Sequence, residues 1–107
     1  MKTYVFDIDG TICSKTEGDY TKALPKQNRI NKINKLYDQG NTIVFQTARG
    51  MGRSKNSQAY AYAAFEEMTR KQLNNWKVKF HLLFLGKPSG DYYIDDKGIS
   101  DEDFFTD

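Results

Sequence analysis

A short apolar run that ends in two carboxylates constrains this chain more than any other feature. The run is Tyr4-Val5-Phe6, rich in aromatic and β-branched residues, and it predicts a buried strand over residues 2–7. Asp7-Ile8-Asp9-Gly10-Thr11 follows at once. The carboxyl end of a strand in an open α/β sheet is where ligands bind. A carboxylate there, next to a second acid, is placed to act as a nucleophile with a proton-transfer partner.

The rest of the chain alternates helices and strands. After a polar loop, the predicted elements are a helix from Pro25 to Gly40, strands at 42–45, 81–85 and 92–94, and helices at about 58–76 and 101–105. Strands separated by helices favour a parallel sheet with right-handed crossovers. We therefore expect one α/β domain over residues 1–107, with every strand delivering its carboxyl end to the same edge.

Bulk properties narrow the expected partners and location. A net charge of +2 is too small to argue for nucleic-acid binding, so nucleic acid is not the expected partner. No apolar run approaches the roughly 20 residues of a membrane span. Cys13 is the only cysteine, which excludes an intramolecular disulfide and fits a reducing compartment. With no cleavable signal at the start, we expect a cytoplasmic protein without a membrane partner.

Polar side chains follow each predicted strand, and the topology should bring them together. The set is Asp7, Asp9, Thr47, Asp95 and Asp96, with Lys87 nearby. Two unit charges about 4 Å apart repel by roughly 4 kcal/mol at an effective dielectric near 20, so clustered carboxylates need an offsetting charge. Hard oxygen ligands suit Mg²⁺, which also binds phosphate. The sequence therefore predicts an edge site for magnesium and a phosphate group.

These motifs, in this order, resemble those of the haloacid dehalogenase (HAD) superfamily of phosphotransferases. The matched positions are Asp7 to Thr11, Thr47 and Lys87 after apolar strands, and Asp95-Asp96 after another. The runs at 47–51 and 86–97 further resemble the small HAD phosphatases linked to capsule biosynthesis. The resemblance implies a three-layer, Rossmann-like parallel sheet with a HAD-like core. Neither gap that holds a cap domain in larger members is long enough here, so we expect no cap.

The resemblance also implies a role for each matched residue. Asp7 would attack phosphorus and become an aspartyl-phosphate, and Asp9 would protonate the leaving oxygen and then activate water. Thr47 and Lys87 would hold the phosphoryl group. The implied metal ligands are Asp7, Asp9 through its backbone carbonyl, and Asp95 and Asp96. Asp96 is the expected direct third protein ligand, and Asp95 binds the metal directly or contacts one of its ligands. The implied substrate-binding residues are Gly10, Thr11, Ala48 and Arg49, although Arg49 suits a structural ion pair equally well.

We therefore expect a Mg²⁺-dependent phosphomonoesterase acting on a sugar phosphate or a similar small phosphate ester. One alternative is a phosphatase for nucleotides or polynucleotide ends, which predicts a basic, aromatic-lined surface at 53–62. A non-catalytic HAD-fold binding module and a phosphomutase are further alternatives. An uncapped site suits large substrates or copies that cap one another, so a homo-oligomer is among the expected partners.

Overall fold

The structure, a computed structural model, describes residues 1–106, and position 107 of the predicted domain lies outside the described residues. Its regular elements, in chain order, are β1 (Thr3–Phe6), α1 (Gln27–Asp38), β2 (Thr42–Thr47), α2 (Gln58–Asn75), β3 (Leu82–Leu85) and α3 (Asp101–Phe104). Short 3-10 turns lie at Tyr20–Lys22 and Gly52–Ser54. α2 has the predicted limits, and the Ser57 side chain caps its start. Gly40 follows α1 as predicted, with φ of +94°. The predicted start of α1 is wrong: the helix begins at Gln27, and Pro25 instead forms an isolated bridge with Cys13.

The three strands form one parallel sheet in the order β1-β2-β3. The register pairs Phe6 with Phe45 and Thr47 with Leu85, so the strands end close to one another at the same edge. This confirms the predicted α/β class with a Rossmann-like parallel sheet. None of the described helices is long and apolar enough to cross a membrane.

The core lies on one face of the sheet. Its fully buried side chains there include Phe45 and Ile43, with Ile30 and Ile33 from α1 and Leu73 from α2. Both helices share this face because the strand order advances in one direction and right-handed crossovers then fall on one side. A three-layer arrangement has helices on both faces of the sheet. In residues 1–106 the two long helices, α1 and α2, form the helical layer on one face only.

The opposite face of the sheet is open to solvent at its margins. Val5 is 55% exposed, and Leu82 and Phe84 are each 50% exposed, whereas Val44 on the central strand is buried. Three large apolar side chains thus line a face that no helix covers in the described part of the chain. We call this surface, formed by Val5, Leu82 and Phe84, the open face.

The prediction of a fourth strand at 92–94 is wrong for the single chain. Residues 86–100 form an irregular segment, which we call the arm, and Tyr92 and Ile94 on it are 86% and 98% exposed. Only six residues separate Leu85 from Tyr92, whereas a connection between parallel strands needs a dozen or more. The chain is too short here to return to the start of the sheet and run parallel to β1.

The arm ends on a firmly anchored helix. The Arg29 guanidinium donates to the Asp101 carboxylate at 2.6 Å and to the Thr11 carbonyl at 3.0 Å. The Phe104 and Phe105 rings lie 5.5 and 6.1 Å from the Phe6 ring. Both ends of the arm are therefore fixed to the core near the carboxyl edge of the sheet, and its middle is free of regular structure.

Candidate active site

The loop after β1 presents two carboxylates because two isoleucines anchor it. Ile8 and Ile12 are fully buried, and the N–H groups of Thr11 and Ile12 both donate to the Ile8 carbonyl, at 3.0 and 2.9 Å. Gly10 makes the tight turn with φ of +82°, a conformation that disfavours other residues. Because Ile8 between them points into the apolar core, the side chains of Asp7 and Asp9 point away from it, at the carboxyl edge of the sheet.

Asp7 and Lys87 come from strands that are two apart and meet at this edge. Asp7 Oδ1 lies 3.8 Å from Lys87 Nζ, with the two side chains 37% and 17% exposed. Lys87 is positioned directly after β3 by its N–H, which donates to the Thr47 carbonyl at 3.1 Å. Burial raises the pKa of Asp7, while the charge of Lys87 acts in the opposite direction. A partly desolvated carboxylate beside an ammonium group can attack an electrophile and is held in place.

Asp9 forms an ion pair with a buried arginine, Arg49. Arg49 Nε and Nη2 each donate to one Asp9 oxygen at 2.9 Å, a bidentate ion pair. The Arg49 side chain has no exposed surface, whereas that of Asp9 is 23% exposed. Arg49 Nη1 also donates to Thr69 Oγ1 at 3.3 Å, and its guanidinium lies 4.8 Å from the Tyr20 ring. Arg49 was expected either to contact the substrate or to form a structural ion pair, and the structure shows the ion pair. Its guanidinium is buried and is therefore not exposed to a substrate.

The remaining predicted residues form the walls around these carboxylates. Thr47 is almost fully buried, and its hydroxyl oxygen accepts from the Arg49 N–H at 3.1 Å, leaving the hydroxyl proton available to a ligand. Ala48 is half-buried against the core. The Gly10 and Thr11 carbonyls accept from side chains near the start of α1, Lys26 and Arg29. Thr47 is the last residue of β2, and Gly10, Thr11 and Ala48 lie on the loops after β1 and β2.

Asp95 and Asp96 are not brought into this site. Both are exposed on the arm, and Asp95 Oδ1 accepts from the Lys97 N–H at 2.7 Å. Within residues 1–106 no group of three or more His, Cys, Asp or Glu side chains is arranged to hold a metal ion. Both carboxylate oxygens of Asp9 already accept from Arg49, which leaves its backbone carbonyl, the expected ligand atom, as the group that could bind a metal. The described residues of a single copy therefore do not fit a magnesium site, because the expected ligands Asp95 and Asp96 do not join Asp7 and the Asp9 carbonyl.

Two aromatic residues near the site were not anticipated from the sequence. The Tyr20 hydroxyl accepts from the Gly50 N–H at 2.9 Å, and the Tyr93 ring centroid lies 4.2 Å from Lys87 Nζ. Tyr20 sits in a polar loop without periodicity, and the sequence predicts a strand at Tyr93. No local pattern marks either position, because each contact joins segments far apart or depends on how the arm folds.

The comparisons with known proteins bear on the fold. No protein-family model and no curated protein matches the chain. A crystal structure of an MCSG target from Vibrio cholerae has a TM-score of 0.90 at 26% identity, covering 99% of this chain and 89% of that chain. D,D-heptose 1,7-bisphosphate phosphatase from B. bronchiseptica, complexed with magnesium and phosphate, has a TM-score of 0.56 at 19% identity, covering 92% and 54%.

A chain of the Pnkp1/Rnl/Hen1 complex is also similar, with a TM-score of 0.59 at 19% identity, covering 89% of this chain and 31% of that chain. The chain thus spans about half of the heptose bisphosphate phosphatase and about a third of the chain in that complex. Together with the parallel sheet, these likenesses define the class: the protein has a HAD-like, Rossmann-type α/β fold.

Proposed function

We propose that this protein is a phosphomonoesterase of the HAD type that acts through a covalent aspartyl-phosphate on Asp7. The observation that carries the proposal is the 3.8 Å contact of Asp7 with Lys87 at the carboxyl edge of a parallel sheet. The Asp7 side chain is 37% exposed, so a phosphate ester has access to it from solvent. The likeness to a phosphatase crystallised with magnesium and phosphate supports the same chemistry.

The reaction follows from the positions of these side chains. An Asp7 oxygen forms a bond to phosphorus as the bond from phosphorus to the leaving oxygen breaks, and Asp9 gives that oxygen a proton. Asp9 then takes a proton from a water molecule, which attacks phosphorus and releases phosphate from Asp7. Lys87 and the Thr47 hydroxyl offset charge on the phosphoryl oxygens. Arg49 orients Asp9 through its two hydrogen bonds to the carboxylate.

The substrate we propose is a sugar phosphate or a similar phosphorylated metabolite, with Mg²⁺ as cofactor. The site is uncapped in the described residues, so it admits a leaving group of any bulk. Within residues 1–106, one copy of the chain does not supply a ligand set for Mg²⁺.

Hydrolysis of p-nitrophenyl phosphate in the presence of Mg²⁺ tests the proposal. Asp7→Asn should abolish turnover, because the amide is not a nucleophile, and acid-quenched wild-type enzyme should carry acyl-bound phosphate. Asp38→Asn is the matched control, since Asp38 pairs with Lys79 at an exposed position at the end of α1 and should leave turnover unchanged. Undiminished turnover in Asp7→Asn would exclude Asp7 as the nucleophile.

A phosphatase for polynucleotide ends is the second candidate, and one surface favours it. The Arg53 guanidinium lies 5.4 Å from the Tyr20 ring and 5.0 Å from the Phe65 ring, and Tyr60 nearby in sequence is 41% exposed. Such a basic, aromatic surface suits a nucleic-acid strand. If this candidate is right, Arg53→Gln should slow dephosphorylation of an end-phosphorylated oligonucleotide more than that of a sugar phosphate. A non-catalytic binding module would turn over neither.

A further inference from the structure

We infer that two copies of this chain exchange arms, so that the arm of each copy pairs with β1 of the other and completes its site. The expected role of the delivered carboxylates, Asp95 and Asp96, is to bind Mg²⁺ beside Asp7, and this role rests on the proposed function. The exchange itself rests on the free edge, the exposed arm and the length of the connection between them.

The outer edge of β1 is available for pairing. The backbone of Thr3–Phe6 is paired with β2 alone among the described residues. An edge strand with unpaired N–H and C=O groups is a template for a further strand. Val5, at the centre of this edge, is 55% exposed. The site carboxylates Asp7 and Asp9 lie directly after this strand, so a strand added here would end beside them.

The arm carries the sequence of a strand but has no partner in its own chain. Tyr92 and Ile94 are 86% and 98% exposed, which leaves strongly β-forming side chains in water. The hydrogen bonds of residues 90–98 stay within the arm, for example from the Gly90 N–H to the Tyr93 hydroxyl and from the Lys97 N–H to Asp95. Releasing the arm for exchange would therefore break few contacts with the core.

The chain's own β1 cannot receive the arm in a useful direction. The seven steps from Leu85 to Tyr92 span at most about 25 Å when fully extended. A parallel connection must leave the sheet, pass over one of its faces and return to the starting end of β1, which takes a dozen or more residues, about twice the six that are available here. An antiparallel strand would be within reach, yet it would carry Asp95 and Asp96 to the end of the sheet opposite Asp7.

A second copy meets the requirement that the first cannot. If Tyr92–Ile94 of one copy lies parallel to Tyr4–Phe6 of another, Asp95 is level with Asp7. The arm is 15 residues long, so its middle can extend about 20 Å from the two anchored ends. A two-fold arrangement makes the exchange reciprocal and completes both sites at once.

The course of the arm is not peculiar to this chain. The likeness to the Vibrio cholerae MCSG target covers 99% of the present chain at a TM-score of 0.90, and the arm falls within that span. The backbone course of the arm thus belongs to the shared architecture, as expected if it has a partner outside its own chain.

Sedimentation of the wild-type protein at micromolar concentration should give a dimer. Alternate N–H groups of a strand point to opposite sides, so one of Tyr93→Pro and Ile94→Pro removes an N–H directed at β1, and that variant should be monomeric. Ile99→Pro is the control: Ile99 is 68% exposed on the arm but outside the strand-forming run, and this variant should remain dimeric. A monomeric wild-type protein, or dimers in both strand variants, would overturn the exchange.

Mixing two inactive variants tests whether the exchanged arm completes the site. Asp7→Asn has an intact arm, and the double variant Asp95→Asn/Asp96→Asn has an intact nucleophile. After refolding an equal mixture, half of the dimers are mixed and one of their two sites is complete, so about a quarter of wild-type turnover should return. No recovery, with mixed dimers demonstrated by co-purification of a tagged chain, would overturn completion in trans.

These readouts separate the two proposals. A wild-type protein without phosphatase turnover would refute the proposed function, while sedimentation of the proline variants would still decide whether arms are exchanged. Full turnover in Asp95→Asn/Asp96→Asn would instead show that the arm's carboxylates complete no site, whatever the oligomeric state.

Discussion

Replacing Arg49 with methionine should remove a large part of the stability of this small domain. Methionine keeps most of the length of the buried stem but leaves Asp9 without its ion-pair partner. Breaking a buried pair costs about 3–5 kcal/mol, and Asp9 is 23% exposed, so water recovers part of that loss. We therefore expect a loss of about 2–3 kcal/mol, against about 5–15 kcal/mol for the unfolding of an ordinary domain.

Urea unfolding followed by the fluorescence of Trp76, the only tryptophan, measures this loss. A double-mutant cycle with Asp9→Asn should give a coupling energy of about 2 kcal/mol, because the two groups interact directly. Arg70→Met is the matched control. Arg70 pairs with Glu66 at 3.3 Å on the exposed face of α2, so its loss should change the stability by less than about 0.5 kcal/mol.

The two arginine variants thus differ in burial and in bidentate geometry, not in the chemistry that is removed. If Arg49→Met unfolds at the same urea concentration as Arg70→Met, or if the coupling with Asp9 is negligible, the buried ion pair does not hold the loop. Arg49→Lys adds a functional readout. Lysine keeps the positive charge but not the planar guanidinium that donates to both Asp9 oxygens. The fall in turnover, expressed as a free energy, should therefore exceed the loss in free energy of unfolding.

Three further results are expected. Burial raises the pKa of Asp7 above its usual 3.8. Because the nucleophile must be ionised, turnover should be full above the raised pKa and should be lost as the pH falls through it. An acid inflection of kcat/KM at or below pH 3.8 would contradict this. Gly50→Ala should lower stability by about 2–4 kcal/mol in thermal unfolding, because φ is +80° and the new Cβ would lie 2.7 Å from the Phe65 ring; Gly52→Ala, whose Cβ would meet nothing closer than 3.7 Å, should be nearly neutral. Burial raises the pKa of Cys13 to about 12, so a thiol reagent at pH 8 should label the protein only after unfolding, and rapid labelling of the folded chain would be the opposite result.

The sequence was sufficient to predict three parallel strands and the meeting of Asp7 with Lys87 at their carboxyl edge. Apolar runs of the right period locate β1, β2 and β3, and the parallel order alone predicts that Asp7 and Lys87 share an edge although 80 positions separate them in the chain. These features follow from local pattern and from topology that few alternatives can satisfy.

Other features depend on information that a local pattern does not carry. The Tyr92–Ile94 run has the composition of a strand, but whether it pairs is decided by the length of the connection before it. The choice between a substrate contact and an ion pair for Arg49 depends on Thr69 and Tyr20, which the fold brings in from distant helices and loops. Spacing along the chain gives no sign of either contact.

The open face has a consequence for the solubility of this protein. Val5, Leu82 and Phe84 present half of their surface to water on a sheet without a covering helix. Salts that strengthen apolar association should therefore precipitate the isolated chain sooner than they precipitate a fully covered domain of equal size. A lysine at Leu82 should improve solubility without disturbing the buried layer on the other side, which makes that position the natural first choice for engineering.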